Sequence, residues 1–410
     1  MRKVKLGDIC EALSDGLHAA PKFNPMGEYL FVNATNLEDG FIVDKGEGKR
    51  SDRSEYEKYR IDLNERTILY SIDGTIGNMA RYHGEKVILG KGACYIKLDG
   101  SVDTDYIYYL LQGEHFKGYL KTMATGSTIH HISLETMRDY PLPKLPSISI
   151  QRSVGRILRS LDDKIANNKK LMAELEQTAQ LIYDYWFTQF DFPDENGKPY
   201  RSSGGKMVWN DKLKREIPVG WSVGILEDYL CLEKKSVIPI AGKEYEHYSI
   251  PAFDNGKYPS FDDGKCIESN KYSVDEGCIL YSKLNPKFKR LWRPYGLTDA
   301  AVTSTEFLVM RPKLKTCYGF CLGVLNSDAY YAYMLAKATS STGSRSRVDP
   351  NEAIGFVLPH PSNNLVEEFN DVIMPFYDRA HHLEIETHQL ATLRDWLLPM
   401  LMNGQATVSE

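Results

Sequence analysis

Residues 150–186 read IQRSVGRILRSLDDKIANNKKLMAELEQTAQLIYDYW. Apolar side chains recur at spacings of four or three along this stretch, and the polar member of the seam is Asn168. The apolar members are Ile150, Val154, Ile157, Leu161, Ile165, Met172, Leu175, Ala179, Ile182 and Trp186. This spacing predicts one long helix, roughly 55 Å at about 1.5 Å per residue, that pairs with another helix. A polar residue on such a seam tends to fix the register, so Asn168 is expected to do so.

A second, less regular seam lies near the end of the chain. Its members are Leu365, Phe369, Val372, Phe376, Arg379, Leu383, Thr387, Leu390, Arg394, Leu397 and Leu401. Pro375 is expected to kink this helix or to begin a new one, because proline lacks the amide hydrogen. The two helices match in length and pattern, so we predict that they pack on each other, with an antiparallel pair favoured. The alternative is that each helix packs on its own globule.

The sequence that precedes each seam is repeated. Ile68-Leu69-Tyr70-Ser71 returns as Ile279-Leu280-Tyr281-Ser282, and Thr125-Gly126-Ser127 returns as Thr342-Gly343-Ser344. Pro141-Leu142-Pro143 is echoed by Val357-Leu358-Pro359, and the offset between the copies stays nearly constant. The chain is therefore two copies of a globule followed by a long helix. Two similar surfaces on one chain suit the binding of something bipartite.

These features predict an α+β fold: two similar α/β globules, an internal pseudo-twofold repeat and two long helices that form an antiparallel coiled coil. The predicted boundaries are 1–146 for the first globule, 147–190 for the first helix, 191–215 for a turn-rich linker, 216–361 for the second globule, 362–403 for the second helix and 404–410 for a tail. Within the globules we predict a helix from Asp103 to about Lys121. We also predict a twin helix from Ala329 to Lys337, with Ser327 as its N-cap.

The composition is typical of a soluble globular protein, with 42% hydrophobic and 26% charged residues. No run of about 18 apolar residues occurs, so no membrane helix is expected. Polar positions follow directly after Met1-Arg2-Lys3-Val4-Lys5, so no signal peptide is expected. Seven cysteines without a C-x-x-C pair indicate reduced thiols and a cytoplasmic location. A net charge of −5 argues against a uniformly basic nucleic-acid binder, so local clusters of cations matter more.

The strongest such cluster lies between Ser282 and Gly296. It contains five cations and no acid, interleaved with the aromatic residues Phe288, Trp292 and Tyr295. The cations are Lys283, Lys287, Lys289, Arg290 and Arg293. Cations concentrated on one loop suit phosphate oxygens, and arginine and aromatic side chains add stacking and base-edge contacts. The alternative is an ordinary solvated loop.

The repeated Thr-Gly-Ser loops are the second candidate, because hydroxyl groups and backbone amides around a glycine grip phosphate. The residues of interest are Thr125, Ser127, Thr128 and His130 in the first copy, and Thr342, Ser344, Arg345 and Arg347 in the second. The chain varies between the copies at these loops, which is typical of specificity loops and also of drifting surface turns.

Other chemistries find little support in the sequence. Cys317 and Cys321 lack a second ligand pair, and the histidines and acids of residues 381–388 fit a solvated helix face, so no metal site is predicted. Asn285-Pro286-Lys287-Phe288 half-resembles a motif of amine methyltransferases, but the second proline and a glycine-rich cofactor loop are missing. No G-x-S-x-G nucleophile elbow is present. The predicted chain is therefore not an enzyme.

Along its whole length the chain resembles the DNA-specificity subunit of type I restriction–modification systems. The matching segments are Lys5-Leu6-Gly7-Asp8-Ile9, the turn at residues 71–77, the helix at 151–162 with Trp186-Phe187, the linker segments at 190–193 and 202–207, the opening of the second half at 217–223, and Leu393-Arg394-Asp395-Trp396 with the residues that follow to Gly404. The second half departs from the pattern at residues 283–286, where the first half has the turn.

The resemblance implies a non-catalytic subunit with two target-recognition domains, each binding one half of a split double-stranded DNA site. The two helices would set the distance between the half-sites and dock two methyltransferase subunits. S-adenosylmethionine would bind to those partners and ATP to a motor–nuclease subunit, so no cofactor is expected in this chain. Ser71 and Thr75 of the family-like turn, together with Lys91, complete the predicted DNA-binding set.

Two other functions stay open at this point. One is a coiled-coil scaffold whose two globules bind proteins, and the other is a stand-alone methyltransferase. Tight and steeply salt-dependent binding of a split DNA duplex separates DNA reading from the scaffold. Methyl transfer by the isolated chain would favour the methyltransferase, which the missing cofactor loop opposes.

Overall fold

The computed structural model describes residues 4–46, 49–123, 131–295, 297–340 and 345–406. Its α-helices are α1 Arg53–Tyr59, α2 Thr104–Gln112, α3 Glu114–Met123, α4 Leu134–Arg138, α5 Ile148–Tyr183, α6 Ile250–Asp254, α7 Tyr318–Asn326, α8 Asp328–Lys337, α9 Pro350–Ile354 and α10 Asn363–Met402. A π-helical turn, Asp184–Thr188, continues α5. No helix in the described ranges is long and apolar enough to cross a bilayer.

The strands before the linker are β1 Cys10–Ser14, β2 Tyr29–Val32, β3 Leu37–Glu38, β4 Phe41–Ile42, β5 Arg50–Ser51, β6 Thr67–Ser71, β7 Met79–Arg81, β8 Val87–Leu89 and β9 Ala93–Leu98. Those that follow are β10 Met207–Asn210, β11 Arg215–Pro218, β12 Ser222–Ile225, β13 Leu230–Glu233, β14 Ser236–Val237, β15 Glu244–Tyr248, β16 Ser260–Asp263, β17 Lys271–Ser273, β18 Ile279–Ser282, β19 Leu291–Trp292, β20 Ala301–Ser304, β21 Phe307–Pro312, β22 Thr339–Ser340, β23 Ser346–Arg347 and β24 Val357–His360.

The chain forms two compact units. The first unit contains Met1–Asn167 and Gln389–Glu410, and the second contains Asn168–His388. Each long helix therefore contributes one part to each unit. This division differs from the predicted boundaries, which treat the globules and helices as separate segments, because a globule and the helix segments packed on it share one core.

The two units contain the same four-stranded antiparallel sheet. The strand order is β1-β9-β6-β7 in the first unit and β13-β21-β18-β19 in the second. The repeated Ile-Leu-Tyr-Ser segments are β6 and β18, and every residue of both strands is buried. A short apolar run of this kind is typical of a central strand. Next to each sheet lies a parallel pair, β2 with β8 and β15 with β20. The internal repeat predicted from the sequence is confirmed.

Each sheet packs against a pair of short helices. The prediction of one helix from Asp103 to about Lys121 is wrong, because the chain ends α2 at Gln112 and starts α3 at Glu114. Gly113 takes an extended conformation between them, which its low helix propensity favours. In the second unit α7 and α8 form the equivalent pair. The predicted N-cap is confirmed there, since the Ser327 hydroxyl accepts a hydrogen bond from the Tyr330 amide at 3.2 Å.

In the first unit, the beginning of α5 packs on the end of α10. Val154 and Leu158 of α5 share a core with Leu401 of α10. Further along α5, the Asp162 carboxylate accepts a hydrogen bond from Arg394 Nη1 at 2.9 Å. Rising residue numbers on α5 therefore meet falling numbers on α10, so the helices are antiparallel.

The second unit shows the same direction of packing. Asn168 Nδ2 donates a hydrogen bond to Glu386 Oε2 at 2.8 Å, and the rings of Tyr183 and Phe369 lie 6.1 Å apart. Asn168 has no exposed surface, which fits a polar residue on the seam. The predicted antiparallel coiled coil is confirmed in both units.

Several details of the predicted seams are wrong. Ile150 and Val372 are 40% and 43% exposed, and Leu158 is the fully buried position where the seam predicts Ile157. The final helix does not restart at Pro375, because α10 continues without interruption from Asn363 to Met402. Pro375 lies on the exposed side, where water can satisfy the carbonyl group that loses its amide donor.

Candidate nucleic-acid interface

Each four-stranded sheet presents one exposed turn at the end of its central strand. We call β6, β7 and the turn between them the first hairpin, and β18, β19 and the segment between them the second hairpin. In the first hairpin Ser71 is fully buried, its hydroxyl donates to the Thr75 carbonyl, and the same hydroxyl accepts from the Asn78 amide at 2.9 Å. Ser71 therefore shapes the turn. Because its side chain is buried, it does not take the DNA-contacting position that is predicted for it. Thr75 is exposed at the tip.

The first hairpin meets two other candidate segments. Asp73 forms an antiparallel bridge with His131, directly after the predicted hydroxyl loop. The Lys91 ammonium lies 3.7 Å from the Asp73 carboxylate and is half exposed. The fold thus brings Thr75, Lys91 and His131 to one face. The predicted residues Thr125, Ser127, Thr128 and His130 lie outside the described residues.

His18 joins this face, although it is not among the residues predicted from the sequence. The Lys91 amide donates to the Leu17 carbonyl at 2.9 Å, which places the next side chain, His18, beside the hairpin. His18 is 67% exposed and lies 2.9 Å from Asp15. A distance of more than seventy positions along the chain hides this contact. The one local sign is Gly16, where a Cβ atom would lie 2.2 Å from the Leu89 carbonyl oxygen.

The second hairpin is arranged in the same way. Ser282 is buried and its hydroxyl hydrogen bonds with the Leu284 backbone. Leu284 bridges Arg347, and the Asn285 amide donates to the Ser346 carbonyl at 2.8 Å. Lys283, Arg345 and Arg347 therefore come together, as the turn and the loop end do in the first unit. The predicted residues Thr342 and Ser344 lie outside the described residues.

Three of the five cations in the basic loop have partners from distant parts of the second unit. Arg290 is 8% exposed and donates two hydrogen bonds to Asp254, at 2.7 and 2.8 Å. Arg293 donates to Asp378 of α10 at 2.6 Å. Lys289 donates to the Asn326 carbonyl, and burial lowers the pKa of its ammonium. The local sequence contains no acid, but the fold supplies two, so much of the predicted positive charge is neutralised.

The cations left on the surface lie at the edge of the second hairpin. Lys287 is exposed, and its ammonium lies 4.9 Å from the centre of the Phe288 ring, which is 51% exposed. Arg345 is exposed, and Lys283 is partly buried. Arg347 pairs with Glu306 at 2.7 Å, and its hydrogen bond holds the pKa of that carboxyl below the usual range. A lysine beside an exposed ring can meet a phosphate and a base together.

Comparison with known proteins bears on the family and the fold. Residues 1–177 match the family model described as the type I restriction modification DNA specificity domain. Residues 1–177 therefore match this family, and the chain as a whole is similar to type I restriction–modification specificity subunits. The chain is 26% identical over 330 residues to the type I restriction enzyme MjaIX specificity subunit of Methanocaldococcus jannaschii, covering 77% of this chain and 72% of that relative.

Two further comparisons cover most of the chain. It is 21% identical over 368 residues to the type I restriction enzyme HindI specificity subunit of Haemophilus influenzae, covering 73% of this chain and 77% of the relative. The crystal structure of the type I restriction–modification S subunit from M. genitalium has a TM-score of 0.59 at 15% identity and covers 98% of this chain and 95% of that one. That likeness shows a shared fold.

Proposed function

We propose that this chain is a type I restriction–modification specificity subunit that reads a bipartite double-stranded DNA site, with one half-site bound by each unit. The observation that carries the proposal is the repeated juxtaposition of hairpin and loop end, Asp73 with His131 and Leu284 with Arg347. Two copies of one surface with different side chains suit two half-sites of different sequence. Thr75, Lys91 and His18 would serve the first half-site, and Lys283, Lys287, Arg345 and Arg347 the second.

The chemistry divides between positioning and reading. Exposed lysines supply contacts to phosphate that are independent of sequence and dependent on salt. Arginine and hydroxyl side chains on the varied loops supply the contacts to base edges that specify sequence. Because the overall charge is −5, attraction to DNA would come from these local surfaces and not from the whole molecule.

We infer that the antiparallel coil has two roles: it sets the separation of the half-sites and it docks two methyltransferase subunits. Leu393 and Trp396 on α10 are 42% and 60% exposed, and exposed apolar side chains of this kind suit a protein partner. S-adenosylmethionine would be bound by those subunits and ATP by a motor–nuclease subunit. This chain would supply no catalytic group.

The proposal is tested first by mapping methylated adenines in a host that carries the chain with its methyltransferase partners. Methylation confined to a split sequence of two fixed halves is expected. The purified complex should then bind a duplex containing that sequence more tightly than a mixed-sequence duplex. The logarithm of the binding constant should fall linearly with the logarithm of salt concentration. Equal, salt-insensitive binding of both duplexes would refute DNA reading.

Exchange of one globule tests whether the half-sites are read independently. Replacing residues 1–146 with the corresponding globule of a relative should change one half of the methylated sequence and leave the other intact. The reciprocal exchange of residues 216–361 should change the other half. A chimera in which both halves change would contradict independent reading.

A further inference from the structure

Two arginines occupy the same place in the internal repeat and are buried alike. Arg81 ends β7, and Arg293 directly follows β19, the strand at the same place in the other sheet. Their side chains are 8% and 15% exposed. In each, one guanidinium nitrogen is buried without a hydrogen-bond partner among the described residues. Burial of an arginine in this state is costly, so its remaining contacts must compensate.

In the first unit, Arg81 connects the first hairpin to α5. Its Nε donates to Asp105 Oδ1 at 2.7 Å, and its guanidinium lies 3.6 Å from the centre of the Tyr108 ring. The other oxygen of Asp105 accepts from Arg159 Nη1 of α5 at 3.2 Å. The carboxylate therefore joins a cation on the hairpin to a cation on the long helix.

In the second unit, Arg293 reaches the long helix directly. Its Nη2 donates to Asp378 Oδ1 of α10 at 2.6 Å, and its guanidinium lies 5.5 Å from the centre of the Tyr318 ring. The acid stands on the short helix in one unit and on the long helix in the other. The connection from hairpin to long helix is the same in both.

The short and long helices also approach each other through a glycine in both units, but on opposite partners. A Cβ atom on Gly155 of α5 would lie 3.0 Å from the Asp105 Cβ atom. A Cβ atom on Gly319 of α7 would lie 2.4 Å from Ile373 Cγ2 of α10. Two different sets of residues thus build one close junction, which indicates that the junction itself matters.

We propose that Arg81 and Arg293 are positioning residues that fix each hairpin to the long helix of its own unit, and so aim the exposed turn at its half-site. This inference rests on the proposed function. The second hairpin depends most clearly on such an anchor, because its two strands pair over a short ladder. The pairs are Leu280↔Trp292 and Tyr281↔Leu291. So short a ladder leaves the orientation of the hairpin dependent on what holds its far end.

Asp378→Asn removes the partner of Arg293. The positioning role and the DNA contact predicted from the sequence lead to opposite expected results for this variant. If Arg293 contacts phosphate, the lost negative charge should strengthen binding to every duplex and steepen the salt dependence. If Arg293 positions the hairpin, discrimination against mismatches should fall in the half-site read by the second unit. We expect about a tenfold fall, the order of one misread base pair, with the salt slope unchanged.

The experiment uses the full chain in complex with its methyltransferase subunits and duplexes carrying the mapped site or one mismatch in either half. The ratio of two affinities is insensitive to the fraction of folded protein, so a loss of stability alone leaves it unchanged. The matched control is Glu176→Gln, which removes an acid of α5 whose ion-pair partner, Lys257 at 3.0 Å, lies outside the second hairpin. The control should keep full discrimination in both halves.

Arg81→Gln should show the mirror result, with discrimination lost in the first unit's half-site alone. Unchanged discrimination in both Asp378→Asn and Arg81→Gln would overturn the inference, and so would a steeper salt slope in Asp378→Asn. Failure of the proposed function looks different, because the unaltered complex would then not distinguish the mapped site from mixed-sequence DNA.

Discussion

In Gly155→Ala, the higher helix propensity of alanine opposes the close packing of α5 on α2. The structure indicates which of the two effects is larger. On an exposed helix the change would stabilise by about 1 kcal/mol, because alanine is the better helix former. Here the added Cβ atom would lie 2.6 Å from Asp103 Oδ1 and 3.1 Å from the Tyr106 amide nitrogen. Those two atoms form the N-cap of α2, at 2.9 Å.

The expected net effect of Gly155→Ala is a destabilisation of about 1–3 kcal/mol. Loss of an N-cap costs about 1 kcal/mol, and forcing an extra methyl group into a packed junction costs about 1–3 kcal/mol. Together these outweigh the gain in propensity. The matched control is Gly118→Ala, inside α3 of the same unit, where no described atom beyond the adjacent residues and the backbone of the same helix lies within 4 Å of the added Cβ. This variant should gain about 0.5–1 kcal/mol.

Thermal unfolding followed by circular dichroism compares the two variants with the parent. Hydrogen exchange of the peptide containing Tyr106 then locates the effect, because the freed amide should exchange faster in Gly155→Ala alone. A Gly155→Ala protein as stable as the Gly118→Ala protein, with Tyr106 still protected, would refute the close packing of α5 on α2.

Three other outcomes are expected. Phe369→Ala should destabilise the second unit by about 3–5 kcal/mol in calorimetry, since its ring is fully buried. Trp396→Ala should change the stability by less than about 0.5 kcal/mol. In pull-down assays Trp396→Ala should instead reduce co-purification of the methyltransferase subunits. Lys287→Ala should weaken binding to all duplexes and lower the salt slope by about one, whereas Arg290→Ala should lower the unfolding temperature and keep the slope, because that guanidinium is buried in an ion pair. Four residues inserted after Ala173 lengthen α5 by about 6 Å and should shift the preferred spacer by about one or two base pairs at about 3.4 Å each; an unchanged spacer in a folded, binding variant would show that the coil is not the ruler.

The repeat and the coil can be predicted from the sequence because both depend on patterns within short segments of the chain. Identical Ile-Leu-Tyr-Ser segments become equivalent central strands, and the four–three spacing becomes α5. The errors occur where one residue interrupts a pattern. Gly113 divides a predicted helix in two, whereas Pro375 does not divide α10, because tertiary packing along a 40-residue helix outweighs one missing hydrogen bond.

The candidate interface is less predictable because charge is a property of the folded surface. The basic loop has no acid nearby in sequence, yet Asp254 and Asp378 of other elements pair with Arg290 and Arg293. Ser71 has the right chemistry but an inward position. His18 is not predicted, because the contact that places it beside Lys91 joins residues separated by about half of the first globule.

The division of the first unit between the two ends of the chain affects its synthesis. Leu401 of α10 belongs to the same core as Val154 and Leu158 of α5. The apolar surface of α5 that α10 covers therefore stays exposed until α10 has left the ribosome. The second unit, a continuous segment, is completed first. At about 5–20 residues per second the nascent first unit waits on the order of 10–50 s for its part of α10. Translation that stops within the second half would therefore leave an incompletely folded domain with exposed apolar surface. Such a domain is a target for chaperones and proteases.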